Sequence, residues 1–279
     1  MREKKVMTIQ DISCVGQCSL TVALPIISAC GIETAILPSA VLSTHTGFQG
    51  FTFHDLSDDI QAIANHWKNE KICFDAIYSG YLGSVHQVDD VIALMNTLLT
   101  KNGEKIVDPA MADNGKLYTG FDQVFVQAMK RLCGQADVIL PNITEAALLT
   151  DSEYCMDNHS SEYIEHLLKK LGELGAKTVI LKGVMDRAGQ IGVIVYDVAS
   201  KEKLSYYTKK IAKSSHGTGD CFASVFTGAL MRGFDYFSAA KLAADFVVTC
   251  LEKTMDDPDH WYGVKFERAI PVLVRELDK

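Results

Sequence analysis

The segment His216-Gly217-Thr218-Gly219-Asp220 sets two glycines two residues apart, directly before a run whose apolar residues Phe222, Val225, Phe226, Ala229 and Leu230 recur at helical spacing. Glycine lets the backbone bend sharply, and a helix N-terminus presents unpaired N–H groups backed by the helix dipole. Gly217, Thr218 and Gly219 can therefore cradle an anionic oxygen. Asp220 beside such a nest would repel a resting phosphate, so it needs a task, such as taking a proton from a nucleophile. The alternative is plain helix capping by Thr218 or Asp220.

Further oxygen- and nitrogen-bearing side chains fall where apolar runs end. Asp108 and Asp113 share a polar loop that reads to Tyr118, and two carboxylates there suit magnesium, directly or through water. The competing reading is an Asp-Pro turn. Asn142 and Glu145 have the spacing of a capping box, and Glu145 can also hold water on a magnesium–phosphate complex. Lys182 ends an apolar run and can act as a point charge for phosphate, or stand solvated. Thr46 lies in a loop dense in hydrogen-bonding groups, which can also be a surface turn. Tyr81 lies in Tyr78-Ser79-Gly80-Tyr81-Leu82-Gly83-Ser84, where a flat ring ligand can pack against it, or where it is half-buried core. No Walker A loop, kinase glycine loop, dinucleotide fingerprint or Gly-x-Ser-x-Gly elbow occurs.

The elements that must position these residues alternate. Apolar spacing predicts strands over 6–10, 33–37, 75–79, 105–107, 137–140 and 178–181, and helices over 20–29, 60–67, 88–99, 123–132 and 160–174. Strand then helix, repeated, implies right-handed crossovers and a mostly parallel sheet covered on both faces. Residues 191–196 and 203–207 alternate about a polar turn and predict an antiparallel edge hairpin. Helices over 222–231, 239–251 and 266–277 finish the chain. In such sheets ligands bind beyond the carboxyl ends of the strands. Asp11, Tyr81, Asp108, Asp113, Asn142, Glu145 and Lys182 all fall there and would converge, which favours chemistry over capping for Asp220.

A chain of 279 residues without linkers, repeats or low-complexity tracts reads as one domain. A formal charge of −8 argues against a general nucleic-acid binder. The eight cysteines form no CxxC pair and mostly lie in apolar runs, which reads as reduced thiols in the cytoplasm. No signal-peptide core or membrane-length apolar run is evident.

Together these motifs resemble the ribokinase-like superfamily, and within it the pyridoxal kinases, over nearly the whole chain. The carrying residues are Ser79-Gly80-Tyr81-Leu82-Gly83-Ser84, Asp108-Pro109 with Asp113-Asn114-Gly115-Lys116-Leu117-Tyr118, Pro141-Asn142 with Glu145, and Gly217-Thr218-Gly219-Asp220. The resemblance implies a three-layer α/β sandwich that phosphorylates the 5′-hydroxymethyl of pyridoxal, pyridoxine and pyridoxamine. It implies ATP, Mg²⁺ and a homodimer, with a monovalent cation as a further cofactor. By likeness, Asp220 is the base, Gly217, Thr218 and Gly219 the anion hole, and Thr46 and Tyr81 the ring contacts. Asp108, Asn142, Glu145, Lys182 and Lys213 serve ATP, and Asp108, Asp113 and Glu145 the metal.

Two positions depart from the pattern. Asp11-Ile12 stands where many pyridoxal kinases have Ser-His, placing a carboxylate by the ring's polar groups. Leu140 replaces a usual small polar residue or alanine near the monovalent-cation site. Rival readings are a hydroxymethylpyrimidine kinase, a dehydratase for hydrated nicotinamide cofactors, and a vitamer-binding protein without catalysis. Asp220 favours the pyridoxal side over the pyrimidine kinases, which often carry cysteine there.

Overall fold

The computed structural model describes residues 3–186, 189–212 and 215–279. Lys213, expected at the nucleotide, lies outside the described residues. The first half of the chain runs β1 (Lys5–Ser13), α1 (Leu20–Ala29), β2 (Glu33–Leu42), β3 (Phe53–Asp55), α2 (Ser57–Asn69), β4 (Phe74–Ser79), α3 (Val85–Thr97) and β5 (Leu99–Val107). A small hairpin follows, β6 (Ala112–Asp113) and β7 (Lys116–Leu117), then α4 (Gln123–Cys133), β8 (Val138–Ile139), α5 (Ile143–Leu149) and α6 (Ser161–Glu173). The remainder is β9 (Thr178–Met185), β10 (Gln190–Asp197), β11 (Lys203–Lys209), α7 (Thr218–Arg232), α8 (Tyr236–Thr254) and α9 (Ile270–Leu277).

Nine strands form one sheet in the order β11-β10-β9-β8-β5-β4-β1-β2-β3. From β2 to β9 neighbouring strands are parallel, whereas β3 and the β10–β11 hairpin run antiparallel at the two edges. Strand alternation divides the core in two. Met7, Ile9, Ile77, Val107, Val179 and Leu181 face α2 to α6, while Val6, Ala76, Tyr78, Ile106 and Ile180 face α1, α7, α8 and α9. Both faces are dry, as a parallel sheet requires. The chain leaves β1 toward β2 on one side and returns to β4 on the other, which opens a crevice at the carboxyl end of β1.

Tertiary pairing moved several boundaries. β1 runs on to Ser13 because its pairing with β2 continues, Ile12 opposite Val41 and Ser13 opposite Leu42, so Asp11 lies within the strand rather than after it. Opposite it, β2 carries an extra residue between Pro38 and Val41. Likewise β9 continues past Leu181, placing Lys182 inside the strand. The helix expected over 88–99 stops at Thr97, and Leu99 instead pairs with Phe74. Two short features, β3 and the β6–β7 hairpin, span three and two residues per strand, too few to show a period. Leu140 is fully buried under the α7–α8 layer. Among the described residues no helix is long and apolar enough to cross a membrane.

Candidate active site

Gly217 is the N-cap of α7 and sits at φ 78°, in the left-handed region glycine favours. A Cβ there would lie 1.8 Å from the carbonyl oxygen of Gln17. The backbone thus packs against the loop after β1 in a way only glycine permits. Thr218 and Gly219 form the first turn, and the Lys182 ammonium lies 3.9 Å from where a Gly219 Cβ would stand. A cation therefore faces the glycine nest.

Asp220 does not cap its helix: α7 has no side-chain cap hydrogen bond. Instead the backbone N–H of Ser19, at the start of α1, interacts electrostatically with its carboxylate. Burial, with Asp108 and Asp11 nearby, pushes its pKa up to about 7, against the opposing pull of the Ser19 N–H and Lys182. A carboxyl group in that range exchanges protons readily at neutral pH. Ser19 itself holds φ 54°, a left-handed conformation rare for a residue with a side chain. The hydroxyl of that strained residue also lowers the Asp11 pKa against the larger, opposite effect of burial.

Asp108 and Lys182 form a buried pair, with Lys182 Nζ 2.8 Å from Asp108 Oδ2. Glu145 lies beside them. Its Oε2 accepts from Asn142 N–H at 2.8 Å and its Oε1 from Met111 N–H at 3.3 Å, while Asn142 Oδ1 accepts from Glu145 N–H. The capping box is real, and it aims a buried carboxylate at the same spot. Burial raises the pKa of Asp108 and, together with Asp108, that of Glu145. Burial opposes charge on Lys182, but Asp108 and Glu145 outweigh it and hold the ammonium protonated. Among the described residues this cation beside three carboxylates, counting Asp220, suits an anion that brings its own metal ion.

Other expected residues are placed differently. Asp113 is exposed on the β6–β7 turn, where Asn114 satisfies its carboxylate through both backbone and side-chain N–H groups. Among the described residues no three His, Cys, Asp or Glu side chains gather as a metal cage. Asp108 and Glu145 lie buried together, whereas Asp113 is exposed on the neighbouring hairpin. Asp11 is buried on the crevice side and accepts from Ser13 Oγ at 2.8 Å. Its charge and burial raise the Tyr81 phenol to about 12, burial being the larger cause. Tyr81 is half-buried, its ring 5.5 Å from that of Phe121. Thr46 is exposed in the loop between β2 and β3.

That loop is latched from the far end of the chain, which no local pattern announces. Gly47 N–H donates to His45 Nδ1 at 3.0 Å, so the ring proton sits on Nε2 and is donated to the Tyr262 carbonyl at 2.9 Å. Burial lowers the His45 pKa and keeps this neutral tautomer. Phe48 packs on Trp261 with ring centroids 4.5 Å apart. Gln17 bonds both His260 and Glu267. The segment around Tyr262 thus straps the loop after β1 to the loop carrying Thr46. Sequence spacing flagged the Thr46 loop but neither Ser19 nor the strap.

A family model described as phosphomethylpyrimidine kinase matches residues 31–263, most of this chain. The chain belongs to the phosphomethylpyrimidine kinase family. This family member is similar to a Bacteroides thetaiotaomicron protein assigned to the same kinases and crystallised with pyridoxal. The two are 35% identical with a TM-score of 0.92, covering 100% of this chain and 96% of that one. It is also similar to the pyridoxal kinase of Lactobacillus plantarum, at 32% identity and a TM-score of 0.89 over 98% of this chain and 97% of that one. The pyridoxal kinase of Actinobacillus succinogenes is 28% identical, with 80% of each chain covered. The ribokinase-like sandwich of phosphomethylpyrimidine kinases is thus the fold seen here, with its glycine nest at the start of α7 and its antiparallel hairpin at one edge.

Proposed function

We propose that residues 1–279 form one kinase domain that transfers the γ-phosphoryl group of ATP to the 5′-hydroxymethyl of a B6 vitamer. The carrying observation is Asp220: a carboxyl group next to an anion nest, spared from capping, with a pKa raised by burial to about 7. The attacking hydroxyl gives its proton to Asp220 as it bonds phosphorus. Backbone N–H groups of Gly217, Thr218 and Gly219 meet the charge that develops on the transferring group, and Lys182 neutralises phosphate from the opposite side. Tyr81 and Thr46 hold the ring. The pyridoxal in the Bacteroides relative and the named activity of the Lactobacillus relative support a flat heteroaromatic alcohol as substrate.

Asp108 and Glu145 fit magnesium as carriers of its water shell, because their oxygens already serve Lys182 and two backbone N–H groups. Magnesium bound with ATP neutralises phosphate charge. Glu145→Gln keeps the capping box, since glutamine serves at that position too. It should raise the magnesium concentration for half-maximal rate by about tenfold. An unchanged magnesium titration removes Glu145 from this role. A homodimer, a cytoplasmic setting and a monovalent cation complete the reading.

A Bacillus subtilis relative, a hydroxymethylpyrimidine/phosphomethylpyrimidine kinase 26% identical to this chain, supports a second substrate, hydroxymethylpyrimidine. A coupled ADP-release assay on the three vitamers and hydroxymethylpyrimidine separates the two; turnover of the pyrimidine alone overturns the vitamer reading. The same assay tests Asp11. A buried carboxylate beside Tyr81 favours a substrate amine, so pyridoxamine should be preferred over pyridoxal. Asp11→Ser should shift the pyridoxamine-to-pyridoxal ratio of kcat/KM toward pyridoxal by about tenfold, the worth of a charge-assisted hydrogen bond. A ratio that stays put confines Asp11 to structure.

A further inference from the structure

Gln87, in the first turn of α3, is fully buried although its amide is polar. A buried amide must be satisfied, and this one reaches three separate elements. Its Oε1 accepts from the backbone N–H of Gly83 at 2.7 Å. Its Nε2 donates to the carbonyl of Ser39 in β2 at 2.9 Å, to Ser57 Oγ at the start of α2 at 2.9 Å, and to Asp55 Oδ1 in β3 at 3.2 Å. Two N–H groups thus serve three acceptors, and the donors and acceptors fix which way the amide points.

These partners belong to the two segments that carry the ring contacts. Gly83 lies two residues after Tyr81, in the turn between β4 and α3. Ser39 and Asp55 flank the loop that carries Thr46, in β2 and β3. A weaker bond runs in parallel, from Ser39 Oγ to the Tyr81 carbonyl at 3.4 Å. The end of the Phe53 ring lies 3.6 Å from where a Gly83 Cβ would stand, so the same junction is also packed. Asp55 is in turn fixed by Ser57, whose N–H and hydroxyl both donate to its Oδ1.

We infer that Gln87 is a positioning residue for the ring-binding half of the site: it sets the distance between the Tyr81 turn and the β2–β3 arm. It touches neither substrate nor phosphate. The nucleotide half, with Asp108, Glu145, Lys182 and the nest, shares no hydrogen bond with it. Gln87 therefore governs capture of the flat substrate and not of ATP. This inference rests on the vitamer-kinase reading above.

The test is Gln87→Met, of similar length but without hydrogen-bonding groups, with Gln87→Glu beside it. The glutamate variant keeps an acceptor for Gly83 but cannot donate to Ser39. In a variant with a parental circular-dichroism spectrum, KM for the preferred vitamer should rise about 10–100-fold, the scale of a small misplacement. KM for ATP should stay within about twofold, as a loss of fold would not allow. Amide exchange on the parent supplies a measurement that needs no variant: the Gly83 N–H should be strongly protected despite lying in a turn. Rapid Gly83 exchange, or equal changes in both KM values, overturns the clamp. A parent that phosphorylates no vitamer instead overturns the kinase reading and takes the clamp's substrate role with it.

Discussion

Asp220→Asn lowers kcat by roughly 10²–10⁴-fold while ATP still binds, because asparagine keeps the shape of the side chain but cannot accept the proton. The backbone nest does not depend on that side chain, so nucleotide affinity measured by calorimetry stays near the parental value. The parent's own pH profile carries the same signature. With a carboxyl pKa of about 7, kcat/KM falls about tenfold per unit as pH drops below that point. Asparagine flattens that limb. A variant with near-parental kcat would return Asp220 to a structural role.

The same substitution should stabilise the protein. The folded state raises the Asp220 pKa from 3.8 to about 7, so it holds the proton more tightly than the unfolded chain does. Stability from that proton is present at low pH and is lost as pH rises through about 7. Asparagine carries no charge to lose. The gain at pH 8 therefore approaches about 4 kcal/mol, the equivalent of the shift, and vanishes near pH 4. Thermal unfolding of both proteins at the two pH values reads this directly. A Tm difference independent of pH contradicts the buried-carboxylate argument.

Gly217→Ala should be nearly as damaging to activity and, unlike Asp220→Asn, destabilising. Alanine in the left-handed region costs about 1–2 kcal/mol before any contact is considered. Its Cβ would also stand 1.8 Å from the Gln17 carbonyl oxygen. Gln17 has little room to retreat, since its side chain bonds His260 and Glu267. The nest must move instead, and kcat should drop by about 100-fold or more as its N–H groups leave the transferring oxygens. Gly219→Ala is the control for strain. Gly219 lies in the helix, and only Lys182 Nζ, at 3.9 Å, comes near its added Cβ. That variant should unfold at or above the parental temperature. Equal losses of Tm at the two glycines would refute the steric account.

What the sequence disclosed was local. Two glycines before an amphipathic run, Asn142 three residues before Glu145, and polar residues closing apolar runs are short-range signals, and each reappears in the structure. Their convergence followed from one topological rule about parallel sheets. What stayed hidden depends on partners far along the chain. Nothing near Ser19 indicates that it sits beside a carboxylate 201 residues later, and nothing near His45 points to a carbonyl 217 residues away. Gln87 reads as one more polar residue on a helix until β2, β3 and the Tyr81 turn close around it. Asp113 differs in that its partner is local: Asn114 beside it serves the carboxylate with both backbone and side-chain N–H groups.

The strap around Tyr262 also orders events during protein synthesis. Every strand of the sheet precedes residue 210, yet the loop that follows β1 and the loop bearing Thr46, joined directly by the His45 N–H to the Val15 carbonyl, gain their remaining ties from residues 260–267. A ribosome-bound chain that has already assembled its whole sheet still lacks those ties. The crevice therefore reaches its working shape only once this late segment has emerged, and catalytic competence trails the fold. A nascent chain released short of Tyr262 would keep the sheet, most of its core and the direct bond from His45 to Val15 while lacking the strap across both loops.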